Sequence, residues 1–110
     1  MDLFTIRRLE RILDGYIAHK VPGQVRASVR LIYRWDDEGL TLYEERPDDG
    51  TRAWTGTAIA RFRQAEQRWL VQARNESGGW APVPSILPHP DFECLLEQVE
   101  LDREGLFWIS

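Results

Sequence analysis

Cysteine is almost missing from this chain. Cys94 stands alone, so no disulfide forms within the chain and no redox compartment is implied. Lysine is as scarce: Lys20 is the only one, and thirteen of the fourteen basic residues are arginine. The two histidines, His19 and His89, have no neighbouring ligands at metal spacing. No apolar run is long enough to span a bilayer. The opening residues, MDLFTIRRLE, lack the apolar stretch and small-residue cleavage site of a secretory signal, so a cytoplasmic protein is expected. Phosphate loops, dinucleotide fingerprints and nucleophile elbows are absent, and no cofactor is expected.

Positive charge is not in excess either. The net charge is −4, which argues against nucleic acid as the main partner. The imbalance is local. Residues 1–23 carry four bases and three acids, and residues 24–74 carry nine and eight. Residues 75–110 carry only Arg103 against seven acids.

What is present is a core. With 110 residues and 43% hydrophobic content, the chain can build one domain without disulfides or metal. Leu3, Ile6, Leu9, Leu13 and Tyr16 recur at helical spacing behind Asp2, a capping residue, and Pro22-Gly23 ends that helix. Residues 24–35 then alternate: Val25, Ala27, Val29, Leu31, Tyr33 and Trp35 share one face, which predicts a half-buried antiparallel strand. A hairpin turn at 36–39 leads to a return strand over 40–46. A third strand, WTGTAIARFR, spans 54–63; QAEQ is a loop; and a fourth strand spans 68–74. Trp80-Ala81-Pro82-Val83 is a short fifth strand whose proline suits only a sheet edge. SILPHP is a linker, residues 91–101 form a second helix, and GLFWIS is an extended apolar tail. The sum is a single α+β domain over residues 1–110: helix, antiparallel meander of four to five strands, helix, with both helices on one sheet face.

Register follows from the first turn. It places Arg30 opposite Glu45 on the outer face, and Glu44 opposite Leu31 on the core side. A carboxylate there is turned outward by a bulge, or it finds an arginine such as Arg8, Arg11 or Arg52. In the next hairpin Phe62 should face Trp69, with Arg63 opposite Arg68 on the outer side. Trp54, Gly56, Ala58, Ala60 and Phe62 should point inward, and Trp35, Trp54 and Trp69 should belong to the core. The outer face then collects Arg26, Arg30, Arg34, Arg61, Arg63, Arg68 and Arg74 around Tyr43, with Glu45 as its one acid.

Such a face suits an acidic protein partner or a second copy of the chain. It also suits single-stranded nucleic acid, although Tyr43 is the only good stacking platform. A nuclease built on Asp and Glu-x-Lys would need a lysine where the third strand has Arg61-x-Arg63.

YEERP, then W…AIARFR, then RWLVQARNESGGW, then LLEQVELDREGLFW resemble a small bacterial family catalogued as domain of unknown function 3024. The likeness covers nearly the whole chain. Its pattern falls on Glu44, Arg46, Pro47, Trp54, Ile59, Ala60, Arg61, Arg63, Trp69, Trp80, Phe107 and Trp108. Where relatives often place polar or aromatic residues after the Trp80 position, this chain has Ala81-Pro82-Val83. The resemblance implies a bacterial source and one small domain, and it carries no activity.

The reading is a non-enzymatic interaction or self-associating domain, with no catalytic or metal residues assigned. Its candidate binding residues are Arg30, Tyr43, Glu44, Glu45, Arg46, Arg61, Arg63, Arg74 and Trp80. Nucleic-acid binding on the same face ranks second, and an enzyme centred on Glu44 ranks third.

Overall fold

A computed structural model describes residues 2–25, 27–48, 50 and 53–108. Arg26 and Arg52, which entered the expectations above, and Ile109 and Ser110 of the expected tail lie outside the described residues. The order is α1 (Leu3–Lys20), a 3-10 turn (Gly23–Val25), β1 (Arg30–Trp35), β2 (Gly39–Pro47), β3 (Trp54–Ala65), β4 (Arg68–Arg74), β5 (Trp80–Pro82) and α2 (Phe92–Leu101). The five strands form one antiparallel sheet in chain order, so the α+β meander between two helices is as expected. The chain divides into two compact units, Met1–Ile32 with Glu44–Gly56, and Tyr33–Tyr43 with Thr57–Ser110.

In the first unit, the Asp2 carboxylate caps α1. It accepts hydrogen bonds from the Thr5 amide at 2.8 Å and the Thr5 hydroxyl at 3.1 Å. Those bonds, the backbone one foremost, hold the Asp2 carboxyl below its ordinary pKa. His19 and Lys20 occupy the last turn, where positive charge suits the helix dipole, and Leu9 and Leu13 are buried.

The strand expected over 24–35 begins only at Arg30. The Val25 carbonyl instead accepts from the amides of Ser28 and Val29, each within 3.1 Å, which winds this stretch into a turn. Alternation alone makes no strand; a ladder partner is needed. β2 ends at Pro47, which has no amide hydrogen to offer, so residues before Arg30 have no ladder to join.

In the second unit, Asp36 closes the first hairpin. Its carboxylate accepts from the amides of Glu38 (2.8 Å) and Gly39 (3.0 Å), and its own amide donates to the Gly39 carbonyl. A Cβ on Gly39 would collide with the Phe62 carbonyl oxygen, so only glycine fits there.

The second hairpin corrects an expectation. Gln64 and Ala65 belong to β3, and the loop is only Glu66-Gln67, at φ 52° and 64°. Two successive residues at positive φ make a type I′ turn, whose twist matches the strands it joins. The register therefore pairs Phe62 with Val71, Arg63 with Leu70, and Ala65 with Arg68. Arg63 and Arg68 are not opposed. Phe62, Trp69, Val71 and Ala73 are buried, and Phe92 from α2 packs on them, its ring centroid 4.9 Å from Phe62 and 5.3 Å from Trp69.

The stretch read as a linker is fastened to the sheet. Trp69 and His89 exchange backbone hydrogen bonds at 2.7 and 3.0 Å. Asp91 caps α2, which buries Phe92, Leu95, Leu96 and Val99. The apolar tail is not extended either. Asp102 ends the helix in the left-handed region at φ 43°. Its carboxylate then gathers the amides of Leu106 (2.7 Å), Phe107 (3.2 Å) and Trp108 (3.0 Å). Phe107 is buried, and the Trp108 indole donates to the Val99 carbonyl at 3.0 Å.

Candidate functional site: the outer sheet face

Side chains two apart on a strand share a face, and so do register partners. Arg61 and Arg63 therefore lie with Gln72, Leu70 and Pro82 on the face opposite Phe62, Val71 and α2. The expectation made this face basic, with Glu45 its one acid. The first hairpin turn changes that. Asp36 reaches the Arg61 guanidinium at 3.1 Å, and Glu38 lies 3.6 Å from Arg61 and 2.6 Å from Arg63. The turn delivers two carboxylates to the two arginines of ARFR, so that strand presents a compensated ladder instead of two free cations.

The first unit repeats the pattern. Arg30 and Glu45 pair at 2.7 Å, as the register required, and the Arg30 guanidinium lies 3.9 Å from the centre of the Trp54 ring. Trp54 is thus half-buried beneath a cation and is not a core residue. Gly56 likewise meets Glu45: a Cβ there would touch the Glu45 side chain at 3.6 Å. Farther along the same strand, Ile59 and Ala60 are buried in succession. The inward alternation expected from Trp54 to Phe62 does not hold along the whole strand. Glu44 pairs with Arg46 on its own strand at 2.7 Å, and its side chain is 19% exposed. It is a half-buried glutamate on a continuous strand, and among the described residues its partner is Arg46, not Arg8 or Arg11.

The remaining candidates are spread out. Tyr43 has the Arg34 guanidinium 5.8 Å from its ring centre. Arg74 is exposed and is the register partner of Trp80, which is half-buried at the start of β5. Arg30, Glu44, Glu45 and Arg46 fall in the first unit, and Tyr43, Arg61, Arg63, Arg74 and Trp80 in the second. Among the described residues no three His, Cys, Asp or Glu side chains gather as metal ligands. No described helix is long and apolar enough to cross a membrane.

Sequence reasoning missed a groove. Leu70 and Gln72 of β4, Pro82 of β5 and the loop residues Pro84, Ile86 and Leu87 enclose about 260 Å³, with Arg63 at its side. Its walls are mainly apolar. The signal was the proline density of PVPSILPHP, which stiffens a loop carrying exposed aliphatic residues. A second cleft of about 170 Å³ lies between that loop and the Asp102 turn.

Residues 1–109 match the family model described as Domain of unknown function (DUF3024). The chain belongs to that family. None of the curated proteins and none of the solved structures matches it. The DUF3024 segments that carried the resemblance thus include the paired Glu44 and Arg46 and the compensated Arg61 and Arg63.

Proposed function

We propose that this DUF3024 chain is a non-enzymatic, cytoplasmic protein-docking domain, and that the outer face of β3, β4 and β5 is its docking surface. One observation carries the reading: an apolar groove with exposed Leu87 opens on this face beside Arg63, whose charge Glu38 already balances at 2.6 Å. Its volume lies below the roughly 300–1,000 Å³ of small-molecule pockets, which favours a side chain as occupant over a cofactor. Apolar anchors ringed by polar groups are what protein recognition uses.

Nucleic acid is the weaker reading. A phosphate approaching Arg61 or Arg63 meets Asp36 and Glu38 as well. The test is peptide display against the immobilised domain. Wild type should enrich peptides that carry an apolar anchor, and Leu87→Asp should lose them. Enrichment no better than that of a bare support sinks the docking reading. Salt-sensitive binding of single-stranded DNA or RNA, lost in Arg61→Glu, would put the nucleic-acid reading in its place.

A further inference from the structure

The groove asks for an apolar side chain: the one base in its lining, Arg63, is already paired with Glu38 at 2.6 Å. The chain presents such a side chain elsewhere. At the start of α1, Phe4 is 90% exposed and Leu3 is 61% exposed. Both follow Asp2, whose carboxylate is fixed by Thr5 at the helix tip. A fully exposed phenylalanine on a rigid helical turn is an anchor without a partner among the described contacts. Helical fixation also lowers the ordering cost of docking it.

We infer that the groove of one copy takes the first turn of α1 from a second copy, with Phe4 filling it. This inference rests on the docking reading above and names its partner. The contact is heterologous, because tip and groove are different surfaces. Two such contacts close a dimer, or one contact repeats along an open chain. A single helical turn in a small groove buries much less than the roughly 1,200–2,000 Å² of a stable complex. Association should therefore be weak, with Kd on the order of 0.1–1 mM.

The test is light scattering on the full chain across concentrations up to about 1 mM. Three samples are compared: wild type, Phe4→Ser and Leu87→Asp. Both substituted residues are mostly solvent-exposed, Leu87 at 75%, so folding is not at risk. Wild type should gain mass with concentration. Each variant alone should weaken association at least roughly tenfold, as loss of an anchor does. The two variants mixed should form a 1:1 complex, because Phe4→Ser keeps its groove and Leu87→Asp keeps its Phe4.

A wild type that stays monomeric throughout overturns the inference. So does association indifferent to Phe4→Ser, or two variants that fail to complement. Peptide enrichment through Leu87 without self-association would discard the second copy as occupant and leave the docking reading intact. Loss of both would remove the groove itself.

Discussion

Asp102 holds the chain end through the backbone amides of Leu106, Phe107 and Trp108. It sits at φ 43°, where a residue with a Cβ is unfavourable, and its carboxylate accepts from three amides. Asn tolerates that backbone but lacks the charge; Ala lacks both advantages. Asp102→Ala should lower unfolding free energy by roughly 1–3 kcal/mol, and Asp102→Asn by less. Urea denaturation of the three proteins checks the order, and equal stabilities would deny the carboxylate its role. Nothing in LDREG announced this arrangement: the left-handed position after a helix is ordinarily glycine, and Gly105 comes three residues later. Glu44 was legible as an anomaly because its register put a carboxylate on the core side. Its partner was not, because a neighbour two residues along the same strand is reached by side-chain length, which alternation does not report.

At the scale of elements, both helices were legible from apolar spacing, and the first also from its capping aspartate. The first hairpin was too, since a glycine-ended turn fixed the register that joins Arg30 to Glu45. The second hairpin slipped by two residues. Glu66-Gln67 gives no turn signal, and QAEQ reads as a four-residue loop until both φ values are known. The sheet imposes that turn on residues that disfavour it. Glu66→Asn with Gln67→Gly should therefore stabilise the protein by roughly 1 kcal/mol. That is a rise of about 4–8 °C in Tm by calorimetry. An unchanged or lower Tm would mean that the two side chains contribute something the backbone geometry does not show. The candidate site was half legible: its arginines were named, but the carboxylates that compensate them come from a turn, and the groove from a loop. Neither belongs to a periodic pattern.

For the whole molecule, the boundary between the two compact units passes through β1, β2 and β3, after Ile32, Tyr43 and Gly56. β1, β2 and β3 each contribute residues to both units. The single domain expected from the sequence leads to one transition. Unfolding followed by circular dichroism at 222 nm, and by fluorescence of a variant keeping only Trp69, should give the same midpoint. Separated midpoints would mean that each unit folds on its own.

The sheet also ends in a particular way. Its last strand is three residues long and carries Pro82. An outer strand that short, with one amide hydrogen removed, is a poor template for backbone pairing by a foreign strand. Fibril growth by stacking chain upon chain is therefore blunted at this border. A partner arriving here must be recognised by what its side chains are, because the main chain has almost no hydrogen bonds left to offer it.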